Sequence, residues 1–586
     1  MTLRLIVSLF TAAAFAFTQP PAPSQSNSSS PDKKGALEGK VLSLSGEPLR
    51  KATLHLRIVG GPPGQNTAGR PIQTSNYTIT TDATGKFLFE DIDSGRYTLF
   101  VEHFGYVQQF YGARAPNRPG LPLNLVEGGH LTGLTITMTP QAIISGKVED
   151  EDGDPISAVQ VMVYRVGYQG GQKQFLPAGN VSVNPDGTFM AGNLEPGHYY
   201  LSASDTRPMM MGGVAERSGT KTPEVGYVTT YYPGTADQSA ATPIDIAAGS
   251  ETRGVEIRLI KARMYQIRGK VTGLPYDSGS INLTLMPRDR SAQFNPIRMR
   301  QAFVQAHDGS FTFRNITPGS YTIQSNRRPV SNTGRPPGLL AYFPVTVTDQ
   351  DLDGITVPLG PGIDINGTIR IEAGPQTTQG ITAGTSALSP RFRIGLQMMD
   401  GNFGGQNVQT GDDGTFEIHG LVPGKFRVNV AGQPGGSYVK YIHFGGLDVT
   451  HDDLDLTSGS GGALEVLFSP KAADLSGFAR NENGDAVPNA SVTLWTPGRT
   501  ANSAPDAPRV ANTDQNGSFQ LSNLAPGEYR IAAWEDIEPG LAQNPEFRAL
   551  FESKAAKVTL QESAHATVEI KLIGRDATVA EAAKLP

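Results

Sequence analysis

From residue 36 to residue 573 apolar and polar positions alternate with a period of two in short runs, and the 3.6-residue spacing of an amphipathic helix is almost absent. The alternation is organised by a cassette that occurs five times. A turn glycine (Gly85, Gly187, Gly309, Gly414, Gly517) is followed two residues later by Phe87, Phe189, Phe311, Phe416 or Phe519. Ten residues after each of those glycines stands a second one, at Gly95, Gly197, Gly319, Gly424 and Gly527. An aromatic follows two residues on: Tyr97, Tyr199, Tyr321, Phe426 or Tyr529. The Asp-Gly and Asn-Gly dipeptides accept positive φ, so each cassette is expected to be two adjacent strands with two tight turns. Phe87, Phe189, Phe311, Phe416 and Phe519 are expected in the core. So short a pair cannot bury its apolar face alone, so each cassette must belong to a larger sandwich or barrel.

The flanking runs supply the missing strands. Each module opens on an aliphatic-x-Gly strand, at Leu37-Glu38-Gly39, Ile144-Ser145-Gly146, Ile267-Arg268-Gly269, Ile365-Asn366-Gly367 and Leu475-Ser476-Gly477. A second strand follows, such as Ala52-x-Leu54-x-Leu56, and each module closes on an alternating strand such as Val568-x-Ile570-x-Leu572. The expected fold is all-β, a tandem array of five antiparallel β-sandwiches over residues 36–139, 140–262, 263–361, 362–470 and 471–573, with a tail at 574–586. Helical turns are expected only over 546–557 and in the tail from Asp576.

Composition agrees with many short strands joined by turns: 18% of the 586 residues are charged, and there are 68 glycines and 43 prolines. Net charge is −6 with no basic run, which argues against nucleic acid as a partner. Arg4, the apolar stretch Leu5 to Phe15 and Ala14-Phe15-Ala16 read as a secretory signal over residues 1–16. A flexible Pro/Ser linker is expected over 17–35. There is no cysteine, hence no disulfide, and no later apolar run is long enough to span a membrane as a helix. The expected location is outside the cell or in the periplasm.

The order Gly-x-Val, Gly-x-Pro-x-x-x-Ala-x-Val, Asp-Gly-x-Phe-x-Phe, Leu-x-Pro-Gly-x-Tyr-x-Leu, seen at Gly146, Gly153, Gly187, Gly197 and their counterparts, resembles the carboxypeptidase regulatory-like domain. That resemblance implies a prealbumin-like, Ig-like sandwich, kin to the Cna-B modules of bacterial surface proteins and classed with carbohydrate-binding-like folds. The five-fold arrangement is similar to large secreted multi-repeat proteins of soil bacteria. Such modules usually accompany something else that does the chemistry.

The residues themselves offer no catalytic set. None of the nine histidines has Glu three residues on, no Gly-x-Ser-x-Gly elbow occurs at a strand-to-helix turn, and thiol chemistry is excluded. The expectation is no enzyme, no cofactor and no metal. Lys40, Lys147 and Lys270 could suggest isopeptide cross-links of the Cna-B kind, but Thr368 and Phe478 stand in their place in modules four and five. They read as solvent-facing lysines. The acidic runs 149–154 and 451–455 read as solvated turns rather than calcium loops.

Aromatics outside the repeat carry what functional signal there is. Most are expected to plug the ends of their sandwiches. Tyr231 and Tyr232 are candidate binding residues together with Trp495 and Trp534, the two tryptophans of the chain. In the fifth module Ala490, Val492 and Leu494 take the inward phase, as do Tyr529, Ile531 and Ala533, so both tryptophans point outward. Outward tryptophans suit stacking on a sugar or docking of a partner, unless Phe547 and Phe551 fold over them as a cover. The functional expectation is a secreted, non-catalytic array that binds carbohydrate or another surface polymer. A structural or adhesive spacer engaging protein partners is the alternative, and an accessory to a peptidase a remote one.

Overall fold

The computed structural model describes residues 34–58, 76–206, 225–273, 281–288, 299–305, 307–325, 340–372, 392–399, 405–459, 461–499 and 505–585. The expected signal and nearly all of the linker lie outside them. Five β-sandwiches follow one another, each with its own apolar core: 37–138, 142–259, 265–359, 363–468 and 473–570. The five cassette phenylalanines are each no more than 4% exposed. Among the described residues no helix is long and apolar enough to cross a membrane.

The first sandwich shows the common plan. Its opening strand (Gly35–Ser43) lies between the Phe strand of the cassette (Lys86–Ile92), antiparallel to it, and the closing strand (His130–Met138), parallel to it. The facing sheet pairs the second strand (Thr53–Ile58) with the Tyr strand (Gly95–Glu102). Opening and closing strands run parallel in all five sandwiches, so the sheets are not purely antiparallel as expected. The opening-strand glycine makes that pairing possible. A Cβ at Gly39, Gly146, Gly269, Gly367 or Gly477 would sit 1.9–2.4 Å from a carbonyl oxygen of the closing strand, closer than any side chain tolerates.

The cassette departs from its expected form in one respect. Its Phe and Tyr strands are not a hairpin: in the first four sandwiches they belong to different sheets, in the fifth they lie apart in one sheet that the closing strand makes continuous, and the turn between them is a corner. Two devices build that corner. Asp91, Asn193, Asn315, Gly420 and Asn523 take positive φ of 57–69° just before the buried Ile or Leu. Asp, Asn and Gly are the residues that tolerate it. Four residues before each cassette tyrosine, a carbonyl accepts the phenol: Tyr97 to Asp93, Tyr199 to Glu195, Tyr321 to Thr317 and Tyr529 to Ala525, at 2.7–3.0 Å. Phe426 makes the fourth corner without this bond.

Two sandwiches carry additions. In the second, the edge hairpin Val159–Gln169 and Gln172–Ser182 has eleven-residue strands, against five or six for the second strand elsewhere. In the fifth, residues 535–555, including helix α1 (Pro545–Leu550), and helix α2 (Arg575–Ala582) lie over the outer face of one sheet. Both helices fall near the two places where the sequence pattern suggests helical turns.

Candidate binding clefts between sandwiches

Trp495 and Trp534 do point away from the core of the fifth sandwich, and neither reaches solvent: they are 4% and 0% exposed. Trp534 packs on Phe547 and Phe551 at ring-centroid distances of 5.4 and 5.0 Å, and its Nε1–H donates to Thr493 Oγ1 at 3.0 Å. The cover wins because two indoles left in water would forgo a large apolar burial that Phe547, Phe551 and Leu541 supply locally. The expected stacking surface is a second core.

Tyr231 is also buried, in a cluster with Met162, Tyr164 and Phe175 on the outer face of the second sandwich. Its hydroxyl reaches Gln238 Oε1 at 3.3 Å. Tyr232 is half-buried against the core of that sandwich. The other connecting aromatics mostly plug as expected: Tyr106 and Tyr111 pack on the first core, Phe343 on the third and Tyr342 on the fourth. Phe104 is the exception, at 96% exposed.

Tyr231 nevertheless marks a site. Between the second and third sandwiches lies a cleft of about 510 Å³ to which it contributes a wall. The linker joining the two sandwiches, Lys261–Arg263, is itself a strand, antiparallel to Val225–Tyr227. Val228 N–H donates to Ile260 O at 3.0 Å and Ile260 N–H to Thr230 Oγ1 at 3.1 Å, so the linker is braced on the second sandwich. The second sandwich presents Asp205, Tyr227, Asp237 and Gln238; the third presents Arg300, Asn315, Thr317 and Tyr321. Lys261 Nζ stands 5.2 Å over the Tyr227 ring and pairs with Glu151. The N–H and hydroxyl of Ser239 hold the Asp237 carboxyl below the usual carboxylate range. A partly exposed tyrosine ring, a guanidinium, a carboxylate and amides thus converge on one space.

A second cleft, of about 440 Å³, lies between the first and second sandwiches, lined by Lys51, Glu102, His103, Gln108, Asn117 and Asn193, with Phe104 beside it. Asn193 and Asn315 are the same corner residue of successive repeats, each at φ 58°. The corner is the recurring point of contact with the preceding sandwich. At the third-to-fourth junction Gly362 lies so near Gly420 that a Cβ there would sit 2.7 Å from its Cα. At the fourth-to-fifth, Gly436 N–H donates to Asn523 Oδ1 at 2.8 Å, and His451 and Arg499 both hold Asp506, at 2.8 and 3.3 Å. Those two junctions are held by direct contacts. The small polar residue before each corner Ile or Leu was readable in the sequence, but only the folded junction gives it this role.

Lys40, Lys147 and Lys270 are exposed, as the solvent-facing reading requires. In the acidic run at 149–154, Asp150 Oδ1 accepts the N–H groups of Asp152 and Asp154, closing a turn on itself. Among the described residues no three His, Asp or Glu side chains gather to hold a metal ion.

Solved structures similar to the chain include the streptococcal ancillary pilin (12% identity, 53% of this chain and 99% of that one, TM-score 0.17) and the minor pilin of Streptococcus agalactiae (14%, 39% and 96%, 0.21). Two B repeat units of the collagen-binding protein of Staphylococcus aureus align at 12% identity over 75% of this chain and all of theirs, with a TM-score of 0.13. Likeness at this level says nothing of what this chain binds. No curated protein matches the chain. Residues 36–139, the first sandwich, match the family model of the carboxypeptidase regulatory-like domain.

Proposed function

We propose that the chain is an exported, non-catalytic array of sandwiches that binds a polysaccharide or a similar hydroxyl-rich surface polymer, and that the cleft between the second and third sandwiches is where it binds. The observation that carries this reading is the composition of the braced cleft. Tyr227 offers a partly exposed ring, with the buried Tyr231 and Tyr321 shaping the walls behind it, while Arg300, Asp237, Gln238 and Asn315 offer donors and acceptors of both kinds. Sugars need both, since their C–H faces stack and their hydroxyls must be hydrogen-bonded on leaving water. The strand-paired linker is held on the second sandwich before any ligand arrives, which limits the ordering entropy lost on binding.

The adhesive reading, with a protein as partner, is favoured by one observation, the almost fully exposed ring of Phe104 beside the first cleft. Calorimetric titration and affinity electrophoresis against a panel of soluble polysaccharides separate the two. Binding should appear with at least one polymer and weaken about tenfold in Tyr227→Ala and in Arg300→Met, with thermal melts unchanged. Absence of binding across neutral, acidic and amino-sugar polymers, or binding indifferent to both substitutions, would remove the cleft from consideration.

A further inference from the structure

The two additions to the repeat meet each other. At roughly 3.3 Å per residue, the extra length of the edge hairpin carries its tip about 17 Å beyond the usual end of such a strand. The tip is a two-residue turn, Gly170-Gly171, with φ of 58° and 77°, between the paired Gln169 and Gln172. It reaches the cover of the fifth sandwich. Tyr168 packs on the cluster of Trp495, Trp534, Phe547 and Phe551. Asn544 donates from Nδ2 to Gly171 O at 2.7 Å while its Oδ1 caps α1 by accepting Phe547 N–H at 2.8 Å. One side chain therefore starts the covering helix and holds the hairpin. Gly540, at φ 82°, allows the approach: a Cβ there would lie 2.1 Å from Tyr168 O.

The first sandwich adds a polar rim to the same contact. Arg118 Nη2 pairs with Glu538 Oε2 at 2.8 Å, Arg114 Nη1 with Glu535 Oε1 at 3.2 Å, and Asn489 Nδ2 donates to Gly112 O at 2.8 Å. An apolar centre with a charged, hydrogen-bonded rim is the anatomy of a specific interface. Successive sandwiches touch at their corners, and here the last touches the first two, so the chain closes on itself.

We propose that the cover of the fifth sandwich is a receptor for the hairpin tip of the second, and that in solution the array is a closed ring of sandwiches, not an extended string. Among the described residues the lengthened hairpin has no partner in its own sandwich that requires its length, and such a cover is seen in the fifth sandwich alone. Closure fixes the second sandwich, one wall of the cleft, at a point remote from the braced linker. The inference stands independently of what that cleft binds.

The absence of cysteine makes the test direct. Dyes at Lys173→Cys on the hairpin and Glu546→Cys on α1 report closure by energy transfer within the full chain. Transfer should be high and independent of protein concentration. Arg118→Glu should lower the ratio of closed to open chains about fivefold, and adding Glu538→Arg should restore it. A merely damaged fold would not be rescued by that second change. Low transfer in the starting chain overturns the proposal, and so does transfer indifferent to both Arg118→Glu and Tyr168→Ala. Transfer between two singly labelled chains, rising with concentration, would overturn it as well, by placing the hairpin on a second copy.

Discussion

The fourth and fifth sandwiches have matching inner faces and opposite outer ones. Ile394, Leu396, Phe426 and Val428 line one core, and Val492, Leu494, Tyr529 and Ile531 stand at the same places in the other. On the outer side the fourth shows Arg393, Gln397 and Arg427, with Arg427 facing Asp453 across 3.9 Å. There burial follows the alternation of a sheet with one wetter face, except at Gly395, which Asn407 and Asn429 cover. In the fifth, Thr493, Trp495, Ala532 and Trp534 are all buried, and alternation disappears beneath the cover. The inner face decides that a sandwich forms. The outer face decides whether it remains a module on a string or becomes a surface on which another layer, and then another sandwich, is built.

Removing the largest outer side chain breaks this contrast most severely. Trp534→Ala should cost about 3–5 kcal/mol in the calorimetric transition of the fifth sandwich, because a fully buried indole leaves a cavity and Thr493 loses its donor. Asn429→Ala, on the wet face of the fourth, should stay within about 0.5 kcal/mol. In the unmodified chain acrylamide should quench neither tryptophan efficiently; free quenching of Trp534 would mean that the cover is open in solution.

Much of this was legible in the strand pattern, and the limits follow from what a period of two can encode. It gave the inward set correctly, down to Ala490 and Ala533, since alternation reports which side of a sheet a residue occupies. It did not report which sheet: the ten-residue interval of the cassette looks alike for a hairpin and for a corner, and only the phenol bonds and the positive φ at Asn193 and its counterparts distinguish them. It also could not say what lies above an outward residue. Phe547 and Phe551 are spaced as a helix, yet their seating on Trp534, with Tyr168 arriving from almost 370 positions earlier, depends on long-range packing with no local signature. The junction clefts have the same origin, being made of residues contributed by two successive folds.

A smaller effect separates the two sandwiches at high pH. Burial raises the Tyr529 phenol above its ordinary value, whereas Phe426 at the same corner of the fourth sandwich has nothing to ionise. An acid whose folded pKa is raised contributes stability that is fully present below the unfolded value of about 10 and is lost as pH climbs through the raised one. The fifth transition should therefore fall faster than the fourth above pH ~10. Tyr529→Phe should cost about 1 kcal/mol at neutral pH, through the lost bond to Ala525, and flatten that fall. If the variant keeps the full alkaline slope, the corner tyrosine is not its source.

The smallest predicted effect concerns a charge that the fifth sandwich alone buries. Arg548, on α1, is 3% exposed; its Nη1 donates to Ala542 O at 3.0 Å, and its Nε has no partner among the described residues. Desolvation pushes the guanidinium down to about 10, the direction expected when a cation sits in an apolar layer without a counter-ion. Lowering marks a cost: below that value the folded state must hold a charge that the unfolded chain keeps in water. One carbonyl bond offsets part of it, and the long aliphatic stem contributes packing. Arg548→Met keeps most of the stem and removes the charge, so it should leave the fifth transition unchanged or raise it by up to about 1 kcal/mol. Arg548→Ala, which removes the stem as well, should lower it. The fourth sandwich keeps Arg427 half-buried beside Asp453, and Arg427→Met there should cost stability by leaving that carboxylate without its cation. A loss of more than about 2 kcal/mol in Arg548→Met would show that the buried guanidinium holds the cover together, and that the outer layer of the fifth sandwich depends on polar contacts as much as on its indoles and phenyl rings.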